Sequence, residues 1–151
     1  MNIRHLTILL TAAAAFFVPT PKAAAHCQVP CGIFDNDCVI QSMHQDWETI
    51  QKASKQIAEL SKDLEKNIHQ VTRWINTKEE HAQAMQEKVL NYFLAQRLKP
   101  DMADKDAYTA QLQLCHQIII TAMKCKQSTD QANVDKLQGL MQELEKAFGS
   151  K

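Results

Sequence analysis

His26-Cys27-Gln28-Val29-Pro30-Cys31-Gly32 gathers more metal-binding chemistry than any other stretch of the chain. Just before it stands Ala23-Ala24-Ala25, the small-residue end of a segment with the form of a secretory signal. Cleavage after Ala25 makes His26 the first residue, so a free α-amine, an imidazole and two thiols fall within six residues. An α-amine with a pKa of about 8 binds metals readily once deprotonated. The Cys27 amide nitrogen can close a small chelate ring with it, and the Cys27 and Cys31 thiolates are soft, electron-donating ligands. Two nitrogens and two sulfurs in a plane favour Ni(II) or Cu(II), whereas zinc prefers a tetrahedron. The His26 imidazole is left to approach axially. Pro30 stiffens the path between the sulfurs and Gly32 permits a sharp turn after the second, so the segment reads as a hook closed around a metal.

Residues 1–25 carry the parts of a signal peptide: Arg4 in the charged region, an apolar run from Leu6 to Val18, and Ala23 and Ala25 at the cleavage site. The apolar run falls short of the ~20 residues of a spanning helix. An exported protein is expected, periplasmic, extracellular or in another extracytoplasmic lumen, with signal peptidase as its maturation partner.

Loss of that segment leaves 126 residues, enough for one domain with a sizeable core. It removes Arg4 and Lys22 but no acid, so 15 basic residues face 17 acidic ones. This balance gives no reason to expect a nucleic-acid or membrane-surface partner for the mature form, which would call for a basic patch. Beyond residue 25 the only glycines are Gly32, Gly139 and Gly149 and the only prolines Pro30 and Pro100, while Gln, Lys, Glu, Ala and Leu abound. An all-α fold follows.

Four amphipathic segments must position the hook. Ile40, Met43, Trp47, Ile50, Ile57, Leu64 and Ile68 form a heptad seam, with Ser54 and Ser61 at its vacant positions and Asp35 or Asp37 as its cap. A break is expected near Asn67–Gln70. A second seam follows through Val71, Ile75, Ala82, Met85, Val89 and Tyr92, interrupted by Lys78 and ended by Pro100. A third helix spans about Lys105 to Lys126, with Tyr108, Leu112, Cys115, Ile119 and Ala122 on one stripe. Ser128-Thr129-Asp130-Gln131 reads as a turn with a capping box, and Val134, Leu137, Met141, Leu144 and Phe148 form a fourth seam closed by Gly149. Short connections predict an antiparallel up-and-down four-helix bundle. The organisation is then a signal peptide over 1–25, a metal-binding hook over 26–34 and the bundle over 35–151.

His-Cys-x-x-Pro-Cys-Gly at a processed N-terminus resembles the motif of the nickel superoxide dismutase family, with weaker similarity through Thr72-Arg73 and Lys78-Glu79-Glu80. The resemblance implies a nickel cofactor bound by His26, Cys27 and Cys31, which are both the catalytic and the metal residues. Nickel is held in the plane by the His26 amine, the Cys27 amide nitrogen and both sulfurs, with the His26 imidazole axial in the oxidised state. It implies dismutation of superoxide to dioxygen and hydrogen peroxide by Ni(II)/Ni(III) cycling, and assembly as a homo-hexamer of helical bundles. The chain departs from the family where a tyrosine commonly follows the hook: Phe34 stands there, and Tyr92 is a candidate to supply the missing hydroxyl. Gln41 and His81 fall nearest the glutamate and arginine that hold the axial imidazole in the family, and neither matches.

Two other functions fit the same residues. One is a non-catalytic exported carrier of nickel or copper. The other is a structural exported bundle whose Cys27 and Cys31 form a disulfide, the ordinary fate of such a pair outside the cytoplasm. Cys115 and Cys125, ten residues apart on one helix, are too distant to bridge each other. Cys38 can pair with either if the helix ends meet, and Cys115 is otherwise expected as buried filler. His44, His69, His81 and His116 form no i, i+4 metal pair.

Overall fold

The computed structural model describes Pro30, Cys31 and residues 35–149. The expected signal segment, most of the hook (His26, Cys27, Gly32 and Phe34 among it) and the last two residues lie outside the described residues. Every regular element among those described is helical: α1 (Asn36–Leu60), a 3₁₀ turn (Ser61–Asp63), α2 (Leu64–Lys88) continued by a π-helical segment (Val89–Arg97), α3 (Lys105–Gln127) and α4 (Gln131–Phe148).

Three of the helix starts follow from an aspartate whose carboxylate accepts an otherwise unpaired backbone N–H. Asp35 accepts from Asp37 N at 3.2 Å, Asp104 from Ala107 N at 2.9 Å and Asp130 from Ala132 N at 3.0 Å. Asp130 rather than Ser128 therefore caps α4, and Ser128 Oγ accepts from the Asp130 N–H instead of closing a capping box. At the far end of α4 the Gly149 N–H donates to Glu145 O at 2.7 Å. A Cβ on Gly149 would stand 2.5 Å from that same oxygen, so close approach, not a left-handed turn, demands the glycine.

Neighbouring helices run antiparallel. Across α1 and α2, Asp46 accepts from both His81 and Lys88 near the middle, and Lys52 sits over the Trp74 ring further along. Gln86 Nε2 donates to Ile119 O across α2 and α3 at 2.9 Å. Between α1 and α4, Asn36 Nδ2 donates to Phe148 O and Trp47 Nε1 to Val134 O. One core receives side chains from all four helices, including the fully buried Met43, Met85, Phe93, Ile118, Leu137 and Leu144. Each such side chain contributes about 1.5–3 kcal/mol of transfer free energy.

The chain reverses earlier than the heptad seam predicts, at Ser61–Asp63 rather than Asn67–Gln70. Asn67 Nδ2 reaches back to Leu60 O at 3.3 Å, closing the end of α1 without glycine or proline. Leu64 and Ile68, read as the tail of the first seam, thus begin the returning helix and are nearly half exposed, as is Ile75. Lys78 differs in the opposite sense. It is 3 % exposed, and its ammonium donates to Cys125 O, Lys126 O and Ser128 O, the unpaired carbonyls at the end of α3.

Candidate metal centre

Of the sequence-predicted ligands, Cys31 is described and His26 and Cys27 are not. Cys31 is a free thiol, 8 % exposed. It lies at the end of the molecule where the start of α1, the π-helical segment and the last turn of α4 meet.

The core at this end of the molecule is aromatic. Tyr92 and Phe93 are consecutive yet both fully buried, an arrangement that the wider π turn accommodates. Their rings meet edge to face at 5.2 Å, and Phe93 meets Phe148 of α4 at 5.1 Å. The Leu98 N–H closes the segment on Phe93 O at 2.9 Å, five residues back, and Leu98 is itself buried.

Polar groups then tie Pro30 and the neighbouring helix ends together. Gln96 Nε2 donates to Pro30 O and to Asn91 O, each at 2.7 Å. The Tyr92 hydroxyl donates to Asn36 Oδ1 at 2.8 Å, and the same Asn36 amide donates to Phe148 O at 2.6 Å. Residue 36 at the head of α1 is thereby tied to both neighbouring helix ends. Arg97 places its guanidinium 5.7 Å from the centre of the Tyr92 ring, a cation–π approach. Burial raises the Tyr92 pKa above its ordinary 10.0; Arg97 opposes the shift, while Asp35, Cys38 and Cys31 add to it. Cys31, Arg97 and the Tyr92 hydroxyl thus share one electrostatic neighbourhood.

The remaining candidates are placed elsewhere. Gln41 is exposed and lines a cleft of about 350 Å³ with Asp37, Ile40, His44 and Glu145. His81 bonds Asp46 at 2.9 Å, ten residues and about 15 Å along α1 from Asn36. Cys38 is exposed and bridges neither Cys115 nor Cys125; all three are free thiols. Cys115 and Cys125 are buried, which pushes their pKa values up to about 12 and about 11 and holds them as inert thiols. Among the described residues no three His, Cys, Asp or Glu side chains come together to hold a metal.

Sequence reasoning missed Gln96, Asn36 and Arg97. Each reads as an ordinary polar residue at a helix end, and only the docking of Pro30 on the π-helical segment gives Gln96 its meaning.

Among the described residues the fold and site define an all-helical protein whose Pro30 carbonyl, next to the nearly buried Cys31, is held by the π-helical segment. The chain belongs to the nickel-containing superoxide dismutase family, whose pattern it matches over residues 21–151. It is therefore an oxidoreductase, a superoxide dismutase with a nickel cofactor. No curated protein and no solved structure gives a significant match. The described donor fits that cofactor: Cys31 is a free, nearly buried cysteine, and thiolate is the soft ligand that a nickel redox site needs.

Proposed function

We propose that the protein dismutes superoxide at its processed N-terminus, outside the cytoplasm. Removal of residues 1–25 creates the His26 amine. That amine, the Cys27 amide nitrogen, the Cys27 and Cys31 thiolates and the His26 imidazole would hold nickel. When bound, nickel supplies a one-electron Ni(II)/Ni(III) couple, brought into reach by thiolate and amide donation, so that one superoxide is oxidised and the next reduced. The net change converts two superoxide ions and two protons into dioxygen and hydrogen peroxide.

The chain's own residues then do three things in this reading. Gln96 fixes Pro30 within the hook. Arg97 contributes positive charge where an anion must approach a molecule of nearly balanced charge. Tyr92, buried with its hydroxyl donated to Asn36 Oδ1, braces the head of α1 near Cys31. The helices form an up-and-down bundle, and such subunits associate as a homo-hexamer that shields the hooks. Among the described residues no helix is long and apolar enough to cross a membrane.

The observation that carries this reading is the placement of Cys31, nearly buried beside Tyr92 and one residue after the Pro30 carbonyl that Gln96 binds. Pulse-radiolysis decay of superoxide tests it. Catalysis should appear with nickel, disappear on its removal and return on its restoration; nickel binding without accelerated decay would instead mark a metal carrier.

A further inference from the structure

The geometry points to Gln96 as a positioning residue that seats the Pro30–Cys31 turn before any metal arrives. A side-chain amide nitrogen has two hydrogens, and both are committed here: one to Pro30 O and one to Asn91 O, each at 2.7 Å. The Pro30 carbonyl belongs to the planar peptide unit that ends at the Cα of Cys31. Fixing that oxygen therefore fixes the starting point of the Cys31 side chain.

The second bond aims the first. Asn91 lies five residues before Gln96, and the Gln96 side-chain amide folds back along its own π-helical segment to reach that carbonyl. The π-helical segment brings the Asn91 carbonyl within reach of the Gln96 amide and so sets its direction toward Pro30. Leu98, buried and bonded back to Phe93 O, locks the end of the segment. The wide turn thus serves the hook as well as the packing of Tyr92 and Phe93. The consequence for catalysis rests on the nickel-site reading, whereas the docking itself needs no nickel.

The test uses the whole chain, metal-free and reduced. Iodoacetamide labelling is followed at each cysteine by mass spectrometry, with Cys115, fully buried in the core, as the internal control. Gln96→Met keeps the length and removes both donors; Gln96→Lys restores donors to the same place, much as Lys78 serves three carbonyls elsewhere in the molecule. Per thiolate, Cys31 should label ~10-fold faster in Gln96→Met, with Cys115 unchanged, and return toward the wild-type rate in Gln96→Lys, whose ammonium by itself only raises the thiolate fraction. An unchanged Cys31 rate in Gln96→Met, a parallel rise at Cys115, or no recovery in Gln96→Lys would overturn the assignment. Faster Cys31 labelling in Gln96→Met alongside a wild type with no nickel-dependent dismutation would sustain the docking and remove the function. Dismutation together with an unaltered Cys31 would do the reverse.

Discussion

At the residue scale, the chemistry concentrates on Cys31 and the groups around it. Cys31→Ser exchanges a strongly donating thiolate for a hydroxyl, so nickel-dependent superoxide decay should be lost while the far-ultraviolet circular dichroism of the helices persists. Full activity in that variant would remove the sulfur from the site. Arg97→Gln should lower kcat/KM several-fold and weaken its dependence on ionic strength, because a fixed cation near the reacting centre acts by steering. Equal salt profiles for the two proteins would exclude that role. The family and its nickel cofactor were legible in the sequence, because amine, amide, imidazole and thiol are properties of residue type and of position along the chain. The surroundings were not. Gln96, Asn36 and Arg97 acquire their roles from contacts across 66, 56 and 5 residues of chain, and no local pattern announces them.

At the element scale, helix ends decide more than helix interiors. Lys78 satisfies three carbonyls at the close of α3, and hydrogen bonds from a charged donor are worth more than neutral ones. Lys78→Met should cost about 2 kcal/mol in urea denaturation by leaving those carbonyls unpaired. A loss no larger than that of an exposed lysine such as Lys62, replaced in parallel, would contradict the capping role. Burial lowers the Lys78 pKa from 10.5, so its desolvation is a real opposing cost to those bonds. Periodicity located four amphipathic segments and the buried face of α4, since alternation of apolar faces is local information, but on α3 it put Leu112 on the inner stripe, where that residue is 41 % exposed and Leu114, Ile118 and Cys125 are buried instead. It misplaced the first reversal because the heptad ran unbroken in sequence through Leu64 and Ile68, and the Asn67 bond that closes α1 carries no periodic signature. It likewise took Lys78 for an interruption, because periodicity records that a residue faces inward but not which carbonyls wait there.

At the scale of the whole molecule, the buried thiols set an alkaline limit. Cys115 and Cys125 keep their protons in the folded state to about 12 and about 11, against an ordinary 9.0. Above pH 9 the unfolded chain releases those protons and the folded chain does not, so folding stability is fully present below pH 9 and falls as pH rises toward 12. Cys115→Ala should flatten that decline in denaturation measured from pH 8 to 11; an unaltered slope would show that the thiol keeps no such proton. The proposed maturation step belongs to this scale too: if the His26 amine is a ligand, an added residue before it should abolish activity without disturbing the helices.

In the proposed function, cleavage builds the site. The most direct measurement of that step reads the N-terminal mass, the nickel content and the superoxide decay rate of one sample. The account predicts a chain beginning at His26, nickel in equal number to chains, and decay that disappears when nickel is removed. Active, nickel-loaded protein whose terminus lies upstream of His26 would contradict it.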